Sequence, residues 1–224
     1  MSRLSIIVPV LDEAPGIVAT LQALQPLRAA GAQIIVADGG SRDDSCALAR
    51  PLCDVLVASS RGRALQMNAG AAHARGEVLL FLHADTILPL EADRLALRAV
   101  AGGRDWGRFD VRIAGRHPML RVVAMLMNWR SRLTGIATGD QAIFVRRELF
   151  QRIGGFPDQP LMEDIELSRR LRRVSAPACL QARATTSGRR WESRGVWRTI
   201  FLMWRLRWRY WRGESAHRLA AAYR

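Results

Sequence analysis

Short runs of apolar residues separated by helical patterns dominate the first half of the chain and constrain its fold more than any other feature. The two kinds of segment alternate along residues 4–82. The predicted strands are 4–10, 34–37, 54–58 and 78–82, and the predicted helices between them are 17–30, 43–50 and 64–75. Strands that are apolar on both faces and separated by helices occur in parallel sheets whose two faces are covered. The pattern therefore predicts an α/β fold with a mostly parallel central sheet and helices on both faces.

The second half departs from this alternation. Strands are predicted at residues 106–113, 141–145 and 179–184, the last of them an edge strand. Helices are predicted between them at residues 118–132 and 163–173. An arginine- and tryptophan-rich helix is predicted from about residue 195 to residue 212. A chain of 224 residues without a linker is long enough for one domain with a substantial core. We therefore predict one domain over residues 1–224, ending in a C-terminal helical extension.

Polar clusters follow three of the predicted strands directly. Asp12 and Glu13 follow the first strand, residues 38–44 follow the second, and residues 83–85 follow the fourth. Ligands of open α/β sheets bind beyond the carboxyl ends of the strands. The three clusters are therefore expected on one ligand-binding rim.

The charge balance indicates anionic ligands. The chain carries 34 Lys plus Arg residues against 20 Asp plus Glu, a formal net charge of +14, and its cations are arginines, which suit planar contacts with phosphate or carboxylate. A GC-rich genome would raise the arginine content equally. The three cysteines lack the spacing of a zinc or disulfide framework, so reduced thiols and a cytoplasmic location are expected. No apolar stretch reaches the roughly 20 residues of a membrane-spanning helix.

The rim carries acids where common phosphate-binding motifs would carry glycines. The sequence contains no Walker A motif, and VLDE rather than Gly-x-Gly-x-x-Gly follows the first strand. A P-loop kinase and an ordinary dehydrogenase are therefore not expected. Because carboxylates repel a nucleotide diphosphate unless a divalent cation bridges them, Asp85 is a candidate metal ligand.

Six motifs in order resemble those of family 2 glycosyltransferases. They are VPVLDE at 8–13, DGGSRD at 38–43, RGRALQMNAG at 61–70, LHADT at 82–86, GDQ at 139–141 and ED at 163–164. The resemblance runs from about residue 5 to residue 171. It implies the Rossmann-like GT-A fold, with a nucleotide-sugar-binding half at 1–115 and an acceptor half at 116–224. The residues of the third and fourth motifs are most similar to those of a small bacterial subgroup assigned to arsenosugar biosynthesis, which includes the selenosugar synthase of selenoneine formation.

The resemblance also implies roles for individual residues. The residues implied to bind the nucleotide sugar are Pro9, Leu11, Glu13, Asp38, Gly39, Ser41, Arg61, Asn68, His83, Ala84 and Asp85. Within this set, Asp38 is expected to hydrogen-bond the uracil edge and Arg61 to lie near the diphosphate. Asp85 would hold Mn²⁺ or Mg²⁺ as the last residue of an Asp-x-Asp motif. The first Asp of that motif is replaced by His83, which is either a second metal ligand or a ribose contact.

The remaining implied roles concern catalysis and the acceptor. Asp164 takes the place of the catalytic base, with Glu163 beside it and Asp140 nearby. Gln141, Arg190 and Trp191 are implied on the acceptor side. The resemblance implies an inverting transfer from UDP-glucose or UDP-N-acetylglucosamine to a small anionic acceptor, with selenophosphate as the candidate that gives a selenosugar.

Two alternatives remain open at this point. One is a transferase that works at the membrane face on a lipid-phosphate acceptor, and the other is a basic nucleic-acid-binding protein. Three acidic strand ends speak against nucleic acid as a partner. The C-terminal helix, rich in Trp and Arg, is expected to pack on the domain or a second subunit, with peripheral contact to the inner membrane face as the alternative.

Overall fold

The first four strands form a parallel sheet in the predicted positions. The structure, a computed structural model, describes residues 3–223. The strands are β1 (Leu4–Val10), β2 (Gln33–Asp38), β3 (Val55–Ala58) and β4 (Val78–Phe81). They lie side by side in the order β3-β2-β1-β4, and all three pairings are parallel. Because parallel strands point the same way, the ends of β1, β2 and β4 meet at one edge of the sheet.

Both faces of this sheet are covered by apolar side chains. Ile6 belongs to the cluster on one face and Ile7 to the cluster on the other, and both are fully buried. Successive side chains of a strand point to opposite faces. Every residue of β1 is buried, which explains why the strand reads as a continuous apolar run.

The helices of the first half are shorter than predicted. They are α1 (Ala14–Ala23), α2 (Gln25–Ala29), α3 (Ser45–Ala49) and α4 (Arg63–Ala72). The single helix predicted over residues 17–30 is wrong, because the chain breaks at Leu24 and restarts with Pro26 in the first turn of α2. Proline lacks the N–H that a helix interior requires but is tolerated in a first turn.

The second half adds four strands and makes the sheet mixed. The new strands are β5 (Thr86–Ile87), β6 (Trp106–Ala114), β7 (Phe144–Arg146) and β8 (Ala178–Ser187). The full order is β3-β2-β1-β4-β7-β6-β8-β5. β7 runs antiparallel to β4 and β6, β5 runs antiparallel to β8, and β6 and β8 are parallel. Strands from residues 1–115 and from 116–224 thus share one sheet, while the functional division into halves stays a prediction.

The helices of the second half surround these strands. They are α5 (Ala92–Ala101), α6 (Met119–Thr134), α7 (Arg147–Arg152), α8 (Glu163–Arg172), α9 (Arg189–Arg194), α10 (Val196–Trp211) and α11 (Ala216–Tyr223). Within residues 3–223, no helix is both long and apolar enough to cross a bilayer.

The structure corrects one strand prediction of the second half and lengthens another. The strand predicted over 141–145 begins only at Phe144, because residues 139–141 form a 3₁₀ turn and Ala142 turns the chain with a φ of 46°. The segment predicted at 179–184 lies within the longer strand β8 and is paired with β6. β5 pairs only with Thr186 and Thr185, beyond the predicted segment, so β8 has a neighbour on both sides only at that end.

A buried polar network fastens α6 to β6. Arg108 is fully buried, pairs with Asp110 and donates to Ser131 Oγ at 3.0 Å. Asn128 of α6 donates to the Val111 carbonyl at 2.9 Å and accepts from the Val111 N–H at 2.8 Å. A buried cation is tolerated only when it is paired and hydrogen-bonded. The network therefore fastens α6 to β6, the strand that pairs with β7 and β8.

Candidate active site

A cavity of about 430 Å³ opens at the carboxyl ends of β1 and β4. Its far wall comes from the loop before β7, the start of α8, the end of β8 and the C-terminal helices. The cavity brings together twelve of the residues that the sequence predicted: Pro9, Leu11, Glu13, Arg61, His83, Ala84, Asp85, Asp140, Glu163, Asp164, Arg190 and Trp191. Polar groups from distant parts of the chain therefore converge on one concave site.

The loop after β1 carries Glu13 and is fastened to the loop after β2. The Glu13 N–H donates to Ser45 Oγ at 2.8 Å, and the Ala14 N–H donates to Asp43 Oδ2 at 3.0 Å. Burial raises the pKa of the Glu13 carboxyl, and the nearby Asp85 carboxylate raises it further. Arg189, 3.5 Å from Glu13, offsets part of this effect. Glu13 and Asp85 therefore repel each other across the cavity and favour a cation or a hydrogen-bond donor between them.

Three of the predicted nucleotide contacts lie behind the cavity wall. Asp38 is 8% exposed and accepts hydrogen bonds from the Gly40 N–H at 2.9 Å and from the Ser41 N–H and hydroxyl. Burial alone would raise the pKa of Asp38, but the bonds from Ser41 and Gly40 outweigh it and lower the pKa. A Cβ on Gly39 would lie 2.9 Å from the Gln66 side chain. Asp38, Gly39 and Ser41 thus shape the turn that supports the rim, and the uracil contact of Asp38 stays a prediction.

Asn68 and Gln141 also lie outside the cavity lining. The Asn68 side chain bonds both the N–H and the carbonyl of Phe156, each at 2.9 Å. Gln141 is fully buried, and its amide nitrogen lies 3.3 Å from Asn128 Oδ1. The structure thus places Asn68 under the loop before α8 and Gln141 inside the network of Arg108, so the predicted nucleotide-sugar contact of Asn68 and the predicted acceptor contact of Gln141 stay predictions.

His83 packs against the turn that precedes β7. Its Nδ1 lies 3.3 Å from Asp140 Oδ1. A Cβ on Gly139 would lie only 2.3 Å from His83 Nε2, so the close approach of the imidazole requires glycine there. The Gly139 N–H in turn donates to Asp164 Oδ2 at 2.9 Å. His83 therefore positions the turn next to Asp164, and both of its ring nitrogens face that turn.

Glu163 and Asp164 begin α8 at the floor of the cavity. Glu163 is 5% exposed, whereas Asp164 is half-buried and also accepts from the Ile165 N–H at 2.7 Å. Burial raises the pKa of Glu163, the Asp164 carboxylate raises it further, and Arg63 at 3.9 Å offsets part of the effect. The two acids thus differ: Asp164 is oriented by two backbone amides, and Glu163 is held in surroundings that favour its neutral form.

We expect Glu163→Gln to gain stability relative to wild type as the pH rises. A raised folded-state pKa means that the contribution of Glu163 is fully present below its unfolded pKa of about 4.3 and is lost as the pH rises through the folded value. The Gln side chain does not titrate. Urea unfolding of both proteins, from below pH ~4.3 to above the folded-state pKa of Glu163, measures the difference in their free energies of unfolding. The exposed Glu148→Gln is the matched control. A stability difference that is constant with pH would contradict the raised pKa.

Asp85 fits a divalent metal, although the chain offers few other ligands. Its Oδ1 lies 3.3 Å from Thr86 Oγ1 and 3.5 Å from Thr186 Oγ1, and no hydrogen bond within residues 3–223 reaches Oδ2. The described part of the chain contains no group of three or more His, Cys, Asp or Glu residues placed to hold a metal. One or two carboxylates completed by substrate phosphates and water are the usual ligands of Mg²⁺ at phosphate-transfer sites. The donor set thus fits a metal that arrives with a diphosphate.

Sequence reasoning missed several residues of the cavity. The main ones are Arg63, Thr138, Gly139, Thr186, Met203, Arg207 and Tyr223. Arg63 and Gly139 lie within motifs that were recognised, so their neighbours could have indicated them. Tyr223 has no such signal, because α11 brings it back from the far end of the chain. The Arg190 guanidinium lies 3.9 Å from the centre of the Tyr223 ring, and burial raises the pKa of the Tyr223 hydroxyl.

The family model described as glycosyl transferase family 2 matches residues 5–154. A sequence search among curated proteins finds no significant match.

Three solved structures illustrate the structural likeness. PcManGT, a mannosyltransferase from Pyrobaculum calidifontis in complex with GDP-Man and Mn²⁺, is 24% identical with a TM-score of 0.61, over 82% of this chain and 56% of that one. TarS 1–349 from S. aureus in complex with UDP is 17% identical with a TM-score of 0.67, over 84% and 60%.

The third structure is glucosyl-3-phosphoglycerate synthase from Mycobacterium tuberculosis in complex with Mn²⁺, UDP and glucosyl-3-phosphoglycerate. It is 20% identical with a TM-score of 0.61, over 83% of this chain and 71% of that one. The chain spans little more than half the length of the first two structures. At these identities the likeness shows a shared fold, the GT-A fold with its curled mixed sheet.

Proposed function

The chain belongs to glycosyl transferase family 2, and we propose that it transfers a sugar from a UDP-sugar to a small anionic acceptor with inversion at the anomeric carbon. The observation that supports this most is the arrangement of acids in the cavity. Asp85 lies on the wall at the strand ends, and Glu163 and Asp164 lie at the start of α8. A transferase needs one group to manage the leaving diphosphate and another to manage the nucleophile.

The donor would bind with its diphosphate near Asp85. Pro9, Leu11 and Glu13 offer a wall for the base and ribose, and Arg61 lies on the same cavity. A divalent metal bound there would neutralise the negative charge that develops on the departing diphosphate. Asp85 would hold the metal together with phosphate oxygens. His83, which packs against Gly139 and Asp140, would position the turn that precedes β7.

The choice of UDP as the donor nucleotide rests on the likeness to structures that contain UDP. TarS from S. aureus has been solved with UDP-GlcNAc and glucosyl-3-phosphoglycerate synthase with UDP, whereas PcManGT holds GDP-Man. We propose UDP-glucose or UDP-N-acetylglucosamine as donor, and a guanine nucleotide is the competitor to be tested.

The acceptor would enter between α8 and the C-terminal helices. Asp164 faces this space and would remove or orient the proton of a hydroxyl nucleophile. Arg190 and Arg207 also line the cavity and would attract an anion such as selenophosphate. An anion that is already ionised needs little help from a base, so the arginines would then matter more than Asp164.

Binding of the nucleotide is the first test. We expect UDP with Mn²⁺ to raise the melting temperature by about 5–10 °C at a ligand concentration near 100 times its Kd, because binding to the folded state alone contributes about 2.7 kcal/mol. UDP without metal, and GDP or ADP with Mn²⁺, are expected to give smaller shifts. Thermal unfolding followed by fluorescence measures all of them. Retention on DNA without any response to UDP would favour the nucleic-acid alternative and contradict the proposal.

A further inference from the structure

The outward side of α10 carries a stripe of exposed aromatic side chains. They recur every three or four residues, as the positions of one helix face do. The stripe consists of Trp197, Phe201, Trp204, Trp208 and Trp211, which are between 56% and 73% exposed. Scattered single apolar residues are ordinary on a protein surface, but five large aromatic rings on one face form a patch that indicates an interaction surface.

A row of arginines runs along one edge of this aromatic stripe. Arg198, Arg205 and Arg212 are exposed and recur every seven residues, so they remain on nearly the same side of the helix. Among residues 3–223, no carboxylate oxygen lies within 4.0 Å of the guanidinium nitrogens of Arg198 or Arg205. Arg212 lies over the Trp208 ring at 5.1 Å, and Arg205 is close enough to Glu214 to help lower the pKa of that carboxyl. The edge of the stripe thus presents a net positive charge to an anionic partner.

The neighbouring helix α6 carries a second exposed apolar face. Its members are Val122, Met125, Leu126, Trp129 and Leu133, with exposures from 37% to 66%. The inner sides of the two helices meet in one cluster, in which Leu120 and Ala124 of α6 accompany Val196 and Ile200 of α10. Neighbouring helices therefore both expose apolar side chains where a protein that meets only water would carry polar ones.

We propose that the aromatic stripe of α10 and the arginine row beside it bind to an anionic lipid bilayer. Tryptophan rings favour the interface between lipid headgroups and acyl chains, and arginines beside them pair with lipid phosphates. A second copy of the chain is a poorer partner, because each copy carries a formal charge of +14 and the two would repel each other. The charge of an anionic bilayer is complementary to that of the surface.

Binding at this surface would bring the cavity close to the lipid headgroups. The opposite side of α10 contributes Thr199, Met203 and Leu206 to the cavity lining. One helix with its side chains is only about 10–12 Å across. The inference does not depend on the proposed donor or acceptor, since the stripe lies outside the cavity.

The test is binding of the full chain to vesicles of phosphatidylcholine alone and of phosphatidylcholine mixed with phosphatidylglycerol. We expect sedimentation with the mixed vesicles and a blue shift of tryptophan fluorescence, and weak binding to the neutral ones. Trp204→Ser/Trp208→Ser should lower the partition coefficient about 10–100-fold. Arg198→Gln/Arg205→Gln should lower it about fivefold per charge on anionic vesicles and leave the neutral ones unaffected.

The matched control is Leu90→Ser, which removes an apolar side chain that is 92% exposed but lies outside α6 and α10. It should bind vesicles as wild type does. A UDP-dependent rise in melting temperature in the Trp variants would show that they are folded. If wild type itself shows no such rise, the proposed function is refuted, but the membrane inference is not affected. Wild-type protein that fails to bind either vesicle overturns the inference. So does a dimer in solution that the Trp variants dissociate while vesicle binding is absent.

Discussion

Asp164→Asn should lower kcat with a hydroxyl acceptor about 10²–10⁴-fold and leave donor binding near normal. Each carboxylate oxygen of Asp164 accepts one backbone N–H, from Ile165 or from Gly139, and keeps a second lone pair for the acceptor proton. An amide in the same place cannot take up that proton. Its NH₂ group would also face one of the two backbone donors.

The acceptor decides how this result is interpreted. With an anionic sulfur, selenium or phosphate-type nucleophile, the cost of Asp164→Asn should shrink, and Arg190→Ala should raise the acceptor KM instead. Steady-state kinetics of both variants over an acceptor panel, with UDP-glucose and UDP-N-acetylglucosamine, separate the two cases. Glu163→Gln is the neighbouring control, and an unchanged UDP-dependent melting shift shows that the turn at Gly139 has survived. Full activity of Asp164→Asn and Arg190→Ala with every accepted substrate would mean that the acceptor binds elsewhere.

Asp85→Asn should abolish the metal-dependent part of UDP binding and lower kcat about 10²–10³-fold, because charge on the leaving diphosphate would lose its main stabilising partner. The substitution keeps the size of the side chain and an oxygen that can accept from Thr86 and Thr186. A general loss of folding is therefore not expected.

Titration calorimetry of UDP with and without Mn²⁺ measures the binding part of this effect. Asp158→Asn is the matched control, since it removes the same charge from an exposed position outside the cavity lining. If Asp85→Asn retains the full difference between UDP with and without Mn²⁺, Asp85 does not hold the metal.

The first half of the fold could be predicted because its signals are local. Four apolar runs predicted β1 to β4, and the acids that follow β1, β2 and β4 predicted the rim. The two-residue strand β5 has no periodicity to detect, and it pairs only with the end of β8, beyond the segment predicted as an edge strand. The first helix breaks before Pro26. The helical spacing of the leucines predicted one continuous helix although the sequence places this proline within it.

The site could be predicted where a motif names a residue and its strand sets the direction. Asp85, Glu163 and Asp164 line the cavity for this reason. The direction of a side chain in a turn depends on partners far along the chain. Gln141 accepts from the Thr138 N–H at 3.1 Å in a local capping box and reaches Asn128 with its amide nitrogen, and Tyr223 enters the cavity because α11 packs there. The contacts of Gln141 with Asn128 and of Tyr223 with the cavity leave no trace in local sequence.

The contact between His83 and Gly139 makes these two positions dependent on each other in sequence evolution. A shorter side chain at position 83, such as the Asp of the usual motif, would vacate the space that now excludes a Cβ at position 139. The two positions are therefore expected to covary among relatives, and the energetic effects of exchanging them should not add. Transplanting the usual Asp-x-Asp motif into this chain thus means redesigning the turn at Gly139 together with it.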